Sequence, residues 1–473
     1  MENVTVKCMD TDDHLEVWSY SECGNDSPQE TKVQRGIIKD KEGNVVVSSF
    51  GYTDEYTEDD CEKIQKKVGD NLDDWIFQYS VEGTLLRMFF YQDQWYLSTH
   101  KKLNAFKSRW SCKQTFGELF VEGLGDIYES EILEPGNLES ASLESASLEP
   151  KSPLEWFQEQ LSRENVYFFL VRSNMQNRIV CHAHHLKKKE GIVFLGHYVL
   201  GSHENCLFVY NNKGKEQGDD TIAVLRKMEC PPALPTAFST VEEIVETVKT
   251  IDPFFFQGVI AFHKRGLESF KVLNHEYVHY YSVRGNNPNL RFRYLEIRKH
   301  PELVKLLYVL YPKYTLLFDE YEGTLYEIAK VIYQFYVNRY IKNQYITLPR
   351  EEYVLLKKCH EWYLEDRKNN RIFTQKVLEL LGNEPPLSLY KMIRRFHLDR
   401  GDGRGGSYAR PYAPSHMKIE VPVFNQKQNR EFMASLPPLS PPHRTAVGTT
   451  EMTGTTWATV MAKTEAEAVP DTI

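Results

Sequence analysis

Apolar and aromatic residues fill Leu85–Tyr91, a polar break follows at Gln92-Asp93-Gln94, and a second strand-like run covers Trp95–Ser98. This pattern predicts a β-hairpin, with Glu82-Gly83-Thr84 at its open end and the basic segment Thr99–Lys107 leaving from the same end. Trp75–Tyr79 predicts a strand just before it and Phe116–Gly123 a helix just after. Upstream, residues 1–60 are polar and acidic. Val45-Val46-Val47 behind Glu42-Gly43-Asn44 predicts a short hairpin there, because Gly-Asn is turn chemistry and a valine run is strand-prone. Residues 58–71 predict a short helix.

Further on, Trp156–Ser162 reads as helix. Asn165–Cys181 reads as strand with a polar turn at Arg172–Gln176, and Gly191–Leu200 as another strand. Asp219–Met228 starts acidic and turns apolar, which leaves strand and short helix both open. Ser239–Lys249 predicts a helix: Ser239 and Thr240 suit its N-cap, and Glu242 and Glu243 suit its first turn. Phe254–Phe262 and Ser269–Val272 read as strands around His263-Lys264-Arg265-Gly266. After about His300 the apolar spacing changes to three and four, predicting helices over Pro301–Pro312, Leu316–Ile341, Arg350–Lys368, Thr374–Gly382 and Leu387–Phe396.

The expected organisation is therefore α+β. An acidic region with short strands over 1–70 precedes an antiparallel-sheet domain over 71–300. A low-complexity insertion at 131–153 interrupts that domain, built on a Leu-Glu-Ser-Ala-Ser unit repeated within residues 137–150. An all-helical domain over 301–400 follows. Gly, Ser, Pro and Thr dominate residues 401–473, the composition of a disordered tail.

Composition narrows the function classes. Hydrophobic residues make up 41% of the 473, enough for a sizeable core, and the formal net charge is -9. A nucleic-acid surface must then be a local patch, such as Lys101–Arg109 or Lys187–Lys189, rather than the whole molecule. Eight cysteines are scattered without Cys-x-x-Cys spacing, which fits a reducing compartment. No apolar run approaches a membrane span, so the expected location is cytoplasmic, without a membrane partner. Cys181-His182-Ala183-His184-His185 would place His182 and His184 on one strand face, but zinc needs a third ligand and none stands at a typical spacing, so no metal site is assigned. Phosphate-loop, nucleophile-elbow and His-Glu-x-x-His motifs are absent.

Four segments carry polar or charged residues on strands or strand ends: Ser80-Val81-Glu82-Gly83-Thr84, Phe168–Val180, Phe256-Gln257-Gly258-Val259-Ile260 and Phe270-Lys271-Val272-Leu273. In this order they resemble the motifs of the covalent nucleotidyltransferases, the phage-type ATP-dependent RNA ligases most of all, over about residues 70–285. The phrase THKKLNAFKS and the helical C-terminal part also resemble proteins of large DNA viruses. Asn177-Arg178-Ile179-Val180 matches the end of the family's middle motif, Gln257-Gly258-Val259 its fourth, and Lys271 the first lysine of its fifth. The resemblance implies a nucleotide site at Ser80, Glu82, Gly83, Thr84, Arg178, Gln257, Gly258 and Lys271. It implies ATP and Mg²⁺ as cofactors if the protein is active, and RNA as partner, with Lys101, Lys107 and Arg109 as contacts. The helical domain would offer a surface to a protein partner.

The departures from the family are chemical. Its reaction needs a lysine amine to attack the α-phosphate of ATP, and aligning on Glu82-Gly83 puts Ser80 in that place. A serine phosphodiester is a poor AMP donor. Phe169, Gln257 and Leu273 stand where the family has an acid, a glutamate and a second lysine, so the acids that help hold Mg²⁺ are largely gone. One substitute is Lys102. With the hairpin turn near Asp93, Lys102 would lie opposite Thr84 and share a face with Ser80 and Glu82. It would serve as nucleophile or phosphate contact, or it is a plain surface lysine. Lys271 interrupts an apolar strand, where an ammonium is costly unless it meets an anion or lies on an outer edge. Arg178 suits a phosphate or a structural ion pair equally. The expected function is an RNA-ligase-like protein with a degenerate active site that binds nucleotide or RNA ends; the alternative is a non-enzymatic RNA- or protein-binding module on the same framework.

Overall fold

The computed structural model describes residues 6–69, 71–132, 151–173, 179–181, 190–200, 208–209, 223–226, 228, 234, 237–265 and 267–401. The low-complexity run, the His182–His185 cluster, Lys187–Lys189, Arg178 and the tail beyond residue 401 lie outside them. The strands are β1 (Val6–Thr11), β2 (Leu15–Tyr20), β3 (Ile37–Asp40), β4 (Val45–Val47), β5 (Asp54–Thr57), β6 (Trp75–Ser80) and β7 (Thr84–Tyr91). Then come β8 (Gln94–Ser98), β9 (Asn165–Ser173), β10 (Glu190–Val199), β11 (Phe208–Val209), β12 (Gly258–His263) and β13 (Ser269–Leu273). They build three sheets among the described residues, in the orders β1-β2-β3-β4, β11-β10-β9-β7-β8 and β5-β13-β12-β6. Every ladder is antiparallel except β13 with β5. The chain is thus a mixed helix-and-sheet protein with antiparallel sheets, as its pattern predicted.

The helices are α1 (Gln29–Lys32), α2 (Cys61–Val68), α3 (Phe116–Ile132), α4 (Pro153–Glu159), α5 (Ala223–Arg226), α6 (Val241–Thr250) and α7 (His275–Arg284). After them run α8 (Leu290–Ile297), α9 (Pro301–Leu310), α10 (Thr315–Tyr336), α11 (Arg350–Glu365), α12 (Thr374–Gly382) and α13 (Pro386–Gly401). The unbroken succession of helices therefore starts at His275, earlier than the apolar spacing indicated. Asn274 caps α7 by accepting the Tyr277 amide, and Asn289 caps α8 by accepting that of Phe292. The chain divides into two compact units, one ending at Phe318 and one beginning at Asp319. In the second unit, Arg395 on α13 holds Glu352 of α11 at 2.7 Å beside a core of Leu355, Leu356 and Met392. No helix among the described residues is long and apolar enough to cross a membrane.

In the first unit, the hairpin forms as the pattern required. Tyr91 pairs with Gln94 around Gln92 (φ 44°) and Asp93 (φ 65°), two positive-φ residues that give a tight turn matching the strand twist. The expected pairing of Lys102 with Thr84 does not form. The β7–β8 ladder ends at Arg87 opposite Ser98, and Thr84 pairs with Val171 of β9 instead. Beyond Ser98 the chain turns on Thr99, whose Oγ1 accepts the amides of Lys101 and Lys102. The side-chain turn captures the backbone before a longer ladder can.

Strand alternation gives the sheet β5-β13-β12-β6 two unlike faces. Tyr56, Phe270, Val272, Val259, Ala261, Phe77 and Tyr79 point one way and pack under α2 and α6 in an aromatic-rich core. The opposite register row runs Glu55–Lys271–Ile260–Gln78, and the next row ends at Gly258 and Ser80. On that second side, Phe262 meets a core shared by all three sheets. Phe50 sits with ring centroids 5.3 Å from Phe262 and 4.7 Å from Phe168 of the five-stranded sheet. Polar chemistry is thus placed where two sheets face each other.

Candidate functional site

The site grows from one glycine. Gly258 opens β12 with φ +145°, and a Cβ there would lie 2.1 Å from the carbonyl oxygen of Val272. Only glycine lets β12 start so close to β13. The adjoining Gln257 is pinned on both backbone sides: its N–H donates to Ser80 O at 2.9 Å, and its C=O accepts the Asn274 amide at 2.9 Å. Its side chain is then held in one place. Oε1 accepts from Ser80 Oγ and from Lys271 Nζ, each at 2.8 Å, and Nε2 donates to the Tyr277 hydroxyl at 2.7 Å. The amide orientation follows from its partners, because an ammonium has only donors and must face the oxygen. The Tyr277 hydroxyl in turn donates a hydrogen bond to Glu82 Oε2 at 3.3 Å. Glu82 completes the chain by accepting the backbone amides of Ile179, Val180 (3.0 Å) and Cys181 (3.1 Å).

The electrostatics centre on Lys271. Burial lowers its pKa, and Arg35 pushes the same way, while Glu55 and Glu82 pull it up. Lys271 forms no ion pair with any described residue; its partner is the neutral amide of Gln257. Arg35 is held close by the backbone. Gly36 has φ +66°, and a Cβ on it would come within 2.8 Å of His100 Cα. The fully buried Arg87 locks the same corner by donating to Gly36 O and, at 2.6 Å, to Thr99 O. Arg35 itself makes no hydrogen bond or ion pair with a described residue; its charge also depresses the pKa of His100, after burial, and of Lys101, after burial and Lys7. Arg35 is thus within electrostatic reach of both Lys101 and Lys271, and Glu55 stands directly beside Lys271 in the register.

The structure brings together five of the residues expected from the sequence: Ser80, Glu82, Gln257, Gly258 and Lys271. Gly83 and Thr84 start β7 against β9, where a Cβ on Gly83 would meet Val171 O at 3.0 Å, so their part is close backbone packing. Lys102 goes elsewhere. Its Nζ pairs with Asp10 Oδ1 of β1 at 3.1 Å, while Asp10 Oδ2 accepts the Leu103 amide. Its expected place beside Ser80 is corrected on that ground: a carboxylate on the first strand takes the ammonium. Lys107, at the end of the short helical turn Ala105–Lys107, and Arg109, just beyond it, lie exposed. Arg178 falls outside the described residues, but the end of its motif is present as the amides that Glu82 binds.

Sequence reasoning missed Tyr277, Arg35, Glu55 and Arg87. Tyr277 carried one readable signal, its position three residues after the cap Asn274, which fixes the first turn of α7 against Gln257. The donor set does not suit a divalent metal. Both Glu82 oxygens are occupied by amides and Tyr277, Gln257 is neutral and Leu273 is apolar. No cluster of three or more His, Cys, Asp or Glu side chains able to hold a metal occurs among the described residues. The same corner does suit an anion, through Lys271 and Arg35, which form no ion pair with a described residue.

Comparison with known proteins gives two viral relatives. The chain is 27% identical over 379 residues to the immediate-early protein ICP-46 homolog of Invertebrate iridescent virus 3, covering 78% of this chain and 74% of the relative. It is 24% identical over 419 residues to the homolog of the same name in Invertebrate iridescent virus 6, covering 84% and 86%. No family model matches. Among solved structures the chain is similar to a putative ATP-dependent DNA ligase from Aquifex aeolicus, at 12% identity and a TM-score of 0.34, over 83% of this chain and 77% of that one. An archaeal ATP-dependent RNA ligase is similar at 10% identity and a TM-score of 0.32, over 80% and 73%.

Proposed function

We propose that this chain is a nucleotidyltransferase-like protein that binds the phosphates of a nucleotide, or of an RNA end, without transferring the nucleotidyl group. The observation that carries this reading is the shared oxygen of Gln257, which holds Ser80 and Lys271 together while the ammonium forms no ion pair with a described residue. A half-buried cation of this kind is costly until an anion arrives. Arg35 adds a guanidinium able to grip a phosphate at two points. Ser80 lacks a base to activate it: its hydroxyl donates to an amide oxygen, which accepts but does not carry the proton away. Lys102 is engaged by Asp10 and supplies no nucleophile. ATP fits this corner through its phosphates. Mg²⁺ does not fit the protein's donors, so the binding proposed is independent of a divalent cation.

The test is calorimetric titration of the full chain with ATP, AMP and pyrophosphate, with and without Mg²⁺, next to incubation with labelled ATP. The expected result is binding in the presence of a chelator, lost in Lys271→Met, with no acid-labile label on the protein. No heat and no thermal shift with any of the three ligands would overturn the phosphate site. A lysine-linked label would overturn the loss of chemistry and assign it to whichever lysine carries it.

A further inference from the structure

The second unit holds a feature that the nucleotide reading does not use. α10 ends in a π-helical turn, Val337–Ile341, in which the Lys342 amide reaches back to Val337 O at 2.9 Å. Such turns add a residue to the helix and re-aim its side chains, often at functional places. Here the turn sets Tyr340 flat on His360 of α11, with ring centroids 3.7 Å apart and planes 7° apart. The Tyr363 ring also lies near His360, with centroids 5.9 Å and planes 28° apart. All three rings are part-exposed, while the core behind them is closed by the buried Leu355, Leu356 and Cys359. The ladder is therefore not simply core packing. It is a row of planar groups with access to water.

Cations lie beside it, Arg339 against its rings and Arg367 within electrostatic reach of His360. The Arg339 guanidinium lies 5.4 Å over the Tyr353 ring and 5.7 Å over that of Tyr340. Arg339, Lys342 and Arg367 make no ion pair with a described residue, whereas the nearby Glu361 is taken up by Lys357 at 3.3 Å. Tyr345, just past the turn, is 91% exposed. Stacked rings with unpaired cations beside them match a polyanion whose own planar groups are free to stack. A double helix hides those groups; a single strand presents them.

We propose that the Tyr340–His360–Tyr363 ladder, rimmed by Arg339, Lys342 and Arg367, is a stacking platform for unpaired bases of a single-stranded nucleic acid. The rings would take base faces in any sequence, and the cations would follow the phosphates. This is a second surface, independent of the phosphate corner around Lys271, and neither needs the other to be correct.

The experiment is fluorescence anisotropy of the full-length chain with a labelled single-stranded oligouridylate and with a duplex of equal length, across a series of salt concentrations. Tyr340→Ala is expected to weaken single-strand binding roughly tenfold, and Tyr340→Phe, which keeps the ring, to restore it. The triple exchange R339Q, K342Q and R367Q is expected to reduce the logarithmic salt slope by about two. Circular dichroism reports whether Tyr340→Ala folds; if it does not, the surface triple variant decides alone. The proposal falls if the wild-type chain binds no single strand, if the duplex binds as tightly, or if the triple variant keeps both its affinity and its salt slope.

Discussion

Two lysines of the first unit meet opposite surroundings. Lys102, just beyond β8, faces the carboxylate of Asp10 and keeps 40% of its side chain in water. Lys271, in the middle of β13, faces the neutral oxygen of Gln257 on the side where two sheets meet. The first is a satisfied surface pair of small energetic weight. The second is a desolvated charge that its own protein leaves half-answered. Position next to a recognisable motif did not decide which lysine joins the site. The partner supplied by a distant strand did, Asp10 in one case and Gln257 in the other.

The firmest way to break the contrast is to remove what holds the Lys271 corner. Glu82→Ala strips the acceptor from three backbone amides and from Tyr277 at once. Hydrogen bonds to a charged group contribute about 1.5–3 kcal/mol each when broken from one side, and water reaches part of this site, so a total loss of about 3 kcal/mol is expected in denaturant unfolding. Glu82→Gln keeps one acceptor and is expected to lose less. A loss below about 1 kcal/mol for Glu82→Ala would show that Glu82 does not organise the corner.

Lys271→Met separates binding from folding. The substitution keeps the stem and removes the charge, so pyrophosphate or ATP affinity is expected to fall by roughly 10- to 100-fold, the worth of one charge-assisted contact. The ligand-free protein is expected to be as stable as the native chain or slightly more so, since a desolvated cation has been removed. The sign of the pH dependence follows from the same burial. The folded state holds the Lys271 proton less tightly than an unfolded chain does. Anion binding is thus complete below the lowered pKa and declines as pH rises through it. In the ligand-free protein, stability increases with pH between that value and the ordinary lysine range. Both slopes should flatten in Lys271→Met, as read by calorimetry and denaturant midpoints over a pH series. A steep loss of stability in that variant, with binding intact, would reverse the contrast.

What the sequence made legible was local. The hairpin could be read from Gln92-Asp93 between two apolar runs, and α6 from Thr240, whose side chain does accept the Glu243 amide. Gly258 was readable only as part of a motif, and Lys271 as a misfit in an apolar strand. The joining of the site was not legible, because it depends on long-range pairing. Ser80 reaches Gln257 across 177 residues, and Glu55 stands beside Lys271 only because β5 adds to β13 in parallel. The polar composition of residues 1–60 hid that contribution. Its short strands bury Leu15, Val17, Ile38 and Val47 on one face alone, and alternation over three to six residues is a weak signal. Arg35 was invisible for the same reason. Nothing around it in the chain marks it, and its meaning comes from His100, Lys101 and Lys271 gathering near it in space.

A smaller change sharpens the comparison by making Lys271 resemble Lys102. Gln257→Glu puts a carboxylate where the amide oxygen lies, within ion-pair distance of Nζ. The internal counter-charge then competes with the incoming phosphate, and a loss of about fivefold in chelator-treated affinity is expected, with part of it recovered by Mg²⁺ that the new carboxylate can help hold. Unchanged affinity and no response to Mg²⁺ would mean that the ligand does not meet Lys271 at all.

The smallest expected effect lies at the other lysine. Lys102→Ala removes a half-exposed pair with Asp10, for which a cost of about 0.5 kcal/mol is ordinary. Asp10→Ala should cost more, about 1 kcal/mol, because Asp10 also holds the Leu103 amide and so ties β1 to the segment leaving the hairpin. The difference between the two variants measures the backbone contact apart from the ion pair. Raising the salt concentration should erase the Lys102 effect first, since screening acts on the exposed charge pair. Nucleotide affinity should be the same in both variants and in the native chain. A drop in affinity in Lys102→Ala that is absent in Asp10→Ala would show that Lys102 leaves its carboxylate when ligand arrives. The two lysines would then be two halves of one site instead of opposite cases.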